Sequence, residues 1–170
     1  MKNQELFDRT VGILVKAYLN NTLTPMHPCG CAVGNLVAAN CGFKMSLNDK
    51  NEPQWDTPNG KVTDPYWNNL VHNTGSFYEG SEFSTELAKQ KREIALSDLR
   101  GTGYSEKQTF KIEMAFEGYG EFAYNKDSRD SRVFNGLMRV VDYLMEIHEA
   151  TTEEITQAKS LFKKELAEVG

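Results

Sequence analysis

The chain has 170 residues, with 19 Lys and Arg against 24 Asp and Glu, so its formal net charge is −5. This length predicts one domain that buries about two thirds of its unfolded surface and needs no disulfide or metal to hold a core. An acidic net charge disfavours general nucleic-acid binding, because neutralising phosphates needs clustered Lys and Arg, and we expect no nucleic-acid partner.

The N-terminal residues and the cysteine count predict the compartment. Polar residues between Asn3 and Arg9 interrupt the apolar stretch that a signal peptide needs. The best apolar run, Cys29–Cys41, is shorter than the roughly 20 residues that cross a bilayer. Three cysteines, an odd number, are typical of a reducing compartment. We therefore expect a soluble, cytoplasmic protein with no membrane partner.

Apolar spacing and end signals predict a first helix and a central helix. Asn3 is a suitable N-cap for a helix over 4–19, where apolar residues recur every three or four positions. The turn 24–28 leads into a helix over Cys29–Cys41, which the next glycine ends. The stretch His27–Gly42 has no formal charge and contains all three cysteines, so we expect this second helix to be central and buried.

Regular periodicity disappears over 43–80, which we interpret as an irregular excursion rich in Trp and Tyr. Turn signals occur within it at 48–53 and 57–60. Its aromatic content argues against disorder, and long loops in compact domains are otherwise functional. We expect the excursion to pack on the helices or to form a binding surface.

The remaining segments predict four further helices. Each begins at a capping residue or capping box and carries apolar residues on one face. Their predicted starts are Ser84 or Thr85, Ser105, about Ser131, and Thr151. The sequence thus predicts a mainly α fold, a single compact domain over 1–170 with five or six helices.

Three cysteines and three histidines are residue types that bind zinc, but their spacing argues against a zinc site. In a helix, the ten residues from Cys31 to Cys41 span about 15 Å, which neither a shared zinc ion nor a disulfide can bridge. Only His27, Cys29 and Cys31 remain near one another. We therefore expect neither a metal nor another cofactor.

Acidic residues share faces of two predicted helices. Glu113 and Glu117 lie on one face, and Asp142, Glu146 and Glu149 lie on another. Neither set has the Glu-x-x-His spacing of a di-iron site in a helical bundle. We interpret both as solvated acidic faces.

A cysteine nucleophile is one functional hypothesis. Cys29 or Cys31 at a helix N-terminus would have a lowered pKa, and His72 or His148 would serve as the base. For an enzyme, the candidate pair is Cys31 and His148. His148 also falls on the apolar face near a helix C-terminus, where a structural role is the alternative.

A ligand pocket is the second hypothesis. Glycines near the start of the central helix would offer backbone N–H groups to an anion, while aromatic rings stack on a base and an arginine binds phosphate. The candidate ligand-binding residues are Gly30, Cys31, Gly34, Trp55, Trp67 and Arg132. The alternative is that Gly30, Gly34 and Ala38 let another helix approach closely.

Several segments carry a resemblance to a group of known proteins. They are Cys31–Leu36, Thr102–Ser105 ahead of Ile112–Glu117, and Asn135–Met138 ahead of Val141–His148. Their layout resembles that of small uncharacterised proteins of Bacteroidota and their phages, over about two thirds of the chain. The resemblance implies a phage accessory or anti-defence role, including capture of a small signalling molecule.

These observations favour a non-enzymatic binding protein. It would capture a small, nucleotide-like ligand or a protein partner, and it would act as a homo-oligomer. The alternatives are a cysteine-dependent enzyme that uses Cys29 or Cys31 with a histidine, and a structural component without a ligand.

Overall fold

The structure is a computed structural model that describes residues 2–63, 65, 86–118, 129–157 and 160. Its helices are α1 (Gln4–Leu19), α2 (Ala32–Cys41), α3 (Glu86–Gly101), α4 (Glu106–Glu117) and α5 (Arg129–Ile147), and residues 152–157 are also helical. Its strands are β1 (Lys44–Leu47), β2 (Pro53–Thr57) and β3 (Gly60–Val62). The predicted mainly α class is confirmed.

Capping residues explain why the starts of α1 and α4 agree with the sequence prediction. Asn3 Oδ1 accepts a hydrogen bond from Leu6 N at 3.3 Å, and α1 covers the predicted span. Ser105 and Gln108 form the predicted capping box at the start of α4, with each side chain bonded to the other residue's backbone N–H. Gly118 ends α4 in the left-handed conformation.

The central helix begins three residues later than predicted. The backbone N–H groups of Gly30 and Cys31 both donate to His27 O, at 2.9 and 2.8 Å, so the chain makes a turn there. Helix α2 then starts at Ala32, with Cys31 as its N-cap. The expected burial is correct, because every residue from Ala32 to Ala38 is buried. Helix α2 packs against α1, α3, α4 and β1.

The predicted irregular excursion is wrong over 44–62. These residues form an antiparallel sheet in the order β1-β2-β3, in which Trp55 pairs with Met45 on one side and Val62 on the other. Strands of three to five residues give only a weak signal in the sequence: β1 alternates polar and apolar residues over just four positions, and burial in β2 does not alternate. The predicted turns are present: Asn48 Oδ1 accepts from two backbone N–H groups between β1 and β2. Residues 66–80 of the predicted excursion lie outside the described residues.

The sheet packs directly against the residues that precede α2. A Cβ on Gly30 would lie 2.5 Å from Pro53 Cγ, so a larger residue cannot fit between them. Cys29 Sγ donates to Val62 O at 3.2 Å. Close packing at Gly30 is therefore confirmed, but the element that approaches is a strand and not a helix.

Gly34 provides a test of packing at the start of α2. A Cβ there would overlap Pro28 O and lie 2.6 Å from Cys29 O, and backbone atoms cannot move aside easily. We expect Gly34→Ala to lower the free energy of unfolding by about 1–3 kcal/mol. Urea denaturation measures this change.

Gly12→Ala is the matched control, because nothing lies within 4 Å of a Cβ at Gly12 in α1. Alanine has the higher helix propensity, so this variant should gain up to about 1 kcal/mol. A gain in both variants would contradict the close packing at Gly34.

Candidate functional site

Two glutamates of α4 are buried against the start of α2. Glu113 is 1% exposed and Glu117 is 3% exposed. The prediction of a solvated acidic face is wrong for them, because α4 packs against both α2 and α5. The corresponding prediction for α5 is confirmed, since Asp142, Glu146 and Glu149 are exposed. We call Glu113 and Glu117 the carboxyl pair.

Each member of the carboxyl pair accepts a backbone hydrogen bond from the region of α2. Glu113 Oε2 accepts from Val33 N at 3.1 Å, within the first turn of α2. Glu117 Oε1 accepts from Met26 N at 2.7 Å. Met26 belongs to residues 24–31, which we call the lead segment of α2. The carboxyl pair thus holds both the helix start and the lead segment.

Cys31 completes the capping of α2. Its Sγ accepts from Gly34 N at 3.3 Å and lies 3.4 Å from Pro28 O, to which the thiol donates. The first four N–H groups of a helix lack partners within the helix. Cys31 satisfies one of them, and Glu113, from a different helix, satisfies another.

The two remaining oxygens of the carboxyl pair require a proton. Glu113 Oε1 and Glu117 Oε2 are buried and receive no donor from the described residues. The two carboxyl groups are nevertheless in hydrogen-bonding contact with each other. Two ionised carboxylates cannot donate and repel each other, whereas one shared proton supplies the missing donor. We infer that the pair holds one proton and one negative charge at neutral pH.

The pKa directions agree with this geometry. Burial, and then the charge of Glu117, raises the pKa of Glu113 to about 8. Burial also raises the pKa of Glu117, although the hydrogen bond from Met26 N opposes that rise. Glu113 is thus the member that holds the proton at neutral pH.

Cys31 does not have the lowered pKa that its helix-terminal position predicts. Burial, followed by the charge that Glu113 carries once it has lost its own proton, raises the pKa of Cys31 well above its usual value of 9.0. These effects outweigh the hydrogen bond from Gly34 N, which lowers the pKa of the thiol. Cys31 is therefore a neutral thiol at physiological pH, and a neutral thiol is a poor nucleophile.

The candidate base is engaged elsewhere. His148 Nδ1 lies 2.6 Å from Lys2 O, and His148 Nε2 lies 3.1 Å from the hydroxyl of Tyr104. Both ring nitrogens are occupied, and the side chains of His148 and Cys31 share no contact. The structure does not assemble the predicted Cys31–His148 pair, and the alternative base His72 lies outside the described residues.

Most of the predicted ligand-binding residues that the structure describes are buried or already bonded. The N–H groups of Gly30 and Gly34, expected to be available to an anion, are bonded to His27 O and Cys31 Sγ. Trp55 is buried and packs against Phe43, with 5.5 Å between the ring centroids. Arg132 is half-buried on α5, and Trp67 lies outside the described residues. Ligand binding by these residues stays a prediction.

A cavity of about 250 Å³ lies between α1, α2 and the turn that joins α3 to α4. We call it the Arg9 cavity. Its polar lining consists of Arg9, Thr10, Asn40 and Thr102, and its apolar lining of Ile13, Leu36 and Ala39. None of the predicted ligand-binding residues lines it. The cavity forms where segments distant in the sequence pack together, so no sequence motif predicts it.

Arg9 is positioned at this cavity by one hydrogen bond. Its Nη2 donates to Thr102 O at 3.0 Å. Within the described part of the chain, no carboxylate lies within ion-pair distance of Arg9. The guanidinium is therefore held at the cavity by one hydrogen bond, with no carboxylate partner among the described residues.

The comparisons with known proteins assign no family: no family model, no curated protein and no solved structure matches this chain. Among the described residues, no group of three or more His, Cys, Asp and Glu side chains is arranged to hold a metal ion. No helix in those residues is long and apolar enough to cross a membrane. The geometry of the carboxyl pair and of the Arg9 cavity is therefore what bears on the function.

The carboxyl pair predicts the pH dependence of stability. The folded protein keeps the Glu113 proton up to about pH 8, whereas an unfolded carboxyl group releases it near 4.5. The contribution to stability is therefore complete below the unfolded pKa and is lost as pH rises through the folded pKa. We expect the free energy of unfolding to fall by a few kcal/mol across this window, measured by urea denaturation at several pH values.

Glu113→Gln removes the titrating group while keeping an oxygen for Val33 N. We expect this variant to lose most of that pH slope, and the exposed-site control Glu149→Gln to keep it. Equal slopes in the wild-type protein and Glu113→Gln would show that the pair does not hold a shared proton.

Proposed function

We propose that the protein is a non-enzymatic binding protein that holds a small anionic ligand in the Arg9 cavity. The observation that carries this proposal is the guanidinium of Arg9, which lines the cavity without a carboxylate partner in the described residues. An exposed, oriented arginine beside a concave surface favours recognition of an anion.

The hydrogen bond to Thr102 O supports recognition by Arg9. It uses Nη2 and holds the guanidinium beside the cavity. The other N–H groups remain for a carboxylate or phosphate, which arginine binds through two parallel hydrogen bonds. Because the side chain is already ordered, binding costs less conformational entropy.

The remaining lining supports the size and chemistry of the ligand. Ile13, Leu36 and Ala39 offer an apolar surface, and Asn40 adds an amide that can donate and accept. A volume of about 250 Å³ is near the lower end of the roughly 300–1,000 Å³ of ordinary ligand pockets. The cavity therefore suits a small carboxylate or phosphate ester, or the phosphate end of a nucleotide-like ligand.

The other sequence-based hypotheses remain predictions. They comprise capture of a protein partner, assembly into a homo-oligomer, a cytoplasmic location, and the phage accessory or anti-defence role that the resemblance implies. The cysteine-dependent enzyme is less favoured, because Cys31 is a neutral thiol and His148 contacts other groups.

Substitution of Arg9 tests the proposed binding. We would titrate the protein with inorganic phosphate, a dicarboxylate and a nucleoside monophosphate by isothermal calorimetry. At least one of these anions should bind, and Arg9→Gln should weaken that binding about tenfold or more, the effect of losing a charge-assisted hydrogen bond.

Arg100→Gln is the matched control, since Arg100 is an exposed arginine that does not line the cavity. It should bind the same anion as tightly as the wild-type protein. Equal weakening in both variants would indicate a diffuse charge effect and contradict the proposal, as would binding that Arg9→Gln leaves unchanged.

Thiol alkylation tests the enzyme alternative. Cys29 and Cys31 are buried, and burial together with Asp98 raises the pKa of Cys41 to about 11. We expect iodoacetamide to label these cysteines slowly at neutral pH in the folded protein and rapidly in urea, as measured by mass spectrometry. Rapid labelling of Cys31 in the folded protein would support a nucleophilic role.

A further inference from the structure

The lead segment of α2 is exposed on one side and bound to the carboxyl pair on the other. Met26 is 76% exposed and has a positive φ of 58°, which a residue with a side chain adopts only when its surroundings hold it. Its N–H group donates to Glu117 Oε1. This hydrogen bond is a direct link between the lead segment and α4.

The carboxyl pair can keep this link only while it is protonated once. One oxygen of each carboxyl group accepts a backbone N–H, and the other oxygen of each is buried without a donor from the described residues. The two side chains interact with each other. When the shared proton leaves, two like charges would be in contact in a buried site. Separation of the groups, followed by hydration, is the direct way to relieve that repulsion.

We propose that the carboxyl pair is a proton-dependent latch: release of its shared proton to solvent frees Met26 N from Glu117, and the lead segment separates from α4. The opening uncovers the first turn of α2, including the N–H group of Val33 and the thiol of Cys31. It involves no covalent step. The proposal rests on a different site from the Arg9 cavity and is independent of the proposed function.

Among the described residues, few other groups that titrate or carry charge belong to the elements packed against the carboxyl pair. From α2 and the lead segment these are Cys31, a neutral thiol, and His27. From α5, Arg139 donates to Ala115 O and Phe116 O at the end of α4. The sheet meets the lead segment through Pro53 and Val62, which do not titrate. Because the raised pKa of Glu113 is about 8, the latch would respond near physiological pH.

Amide hydrogen exchange, corrected for the intrinsic effect of pH, tests the latch. Opening releases one proton in the window between an ordinary carboxyl pKa and the raised one. The opening constant of the amides of Met26 and Val33 should therefore rise by up to about tenfold per pH unit from pH 5 to pH 8 and then level off. Amides in the middle of α5, such as Val140 and Leu144, should remain more protected throughout, which distinguishes local opening from global unfolding.

Two variants make this test decisive. Glu113→Gln leaves a single carboxyl group, which cannot develop two like charges, so the rise in exchange at Met26 between pH 5 and pH 8 should be lost. Glu117→Gln should have the same effect if the first variant folds poorly. The surface control Glu149→Gln should keep the wild-type dependence. The latch is excluded if exchange at Met26 does not depend on pH in the wild-type protein, or if it depends equally on pH in the glutamine variants.

Discussion

The hydrogen bonds between the carboxyl pair of α4 and the start of α2 are the constraint on which the structure depends. Helix α2 is buried from Ala32 to Ala38, so the N–H groups at its start need partners within the protein. Cys31 supplies only a thiol as a cap. Glu113 therefore provides a strong acceptor from another helix, and Glu117 anchors the lead segment beside it. The sheet packs on the lead segment at Gly30 and Cys29. The position of the sheet therefore depends on the position of the lead segment.

This arrangement combines opposing electrostatic effects. Burial disfavours charge on either glutamate, while backbone N–H groups and the positive end of a helix favour it. A single shared proton satisfies both requirements, at the cost of a start to α2 that depends on pH. Cys31 belongs to the same balance, because the burial that keeps Glu113 protonated also keeps the thiol neutral. Helix α2 links this site to the Arg9 cavity, since Leu36, Ala39 and Asn40 lie further along the same helix.

The sequence predicted the features that neighbouring residues determine. Asn3 and the Ser105 capping box make hydrogen bonds to residues within one turn of the helix. The starts of α1 and α4 can therefore be predicted from the sequence. The short strands around Trp55 were missed because their pairing, and not their pattern, defines them. Glu113 and Glu117 have the spacing of a solvated face, and only the packing of α4 against α2 shows that they are buried. The surroundings of Arg9 likewise come from segments that meet only in the folded protein.

The most direct measurement of the central claim is a carbon-13 NMR titration of the side-chain carboxyl groups of Glu113 and Glu117 in the folded protein. Our account predicts that the chemical shifts of both groups respond to one common proton that is lost near pH 8. It also predicts that Glu117→Gln returns the titration of Glu113 toward lower pH, because the like charge is gone. Independent titration of both carboxyl groups near 4.5, the ordinary value for glutamate, would contradict it.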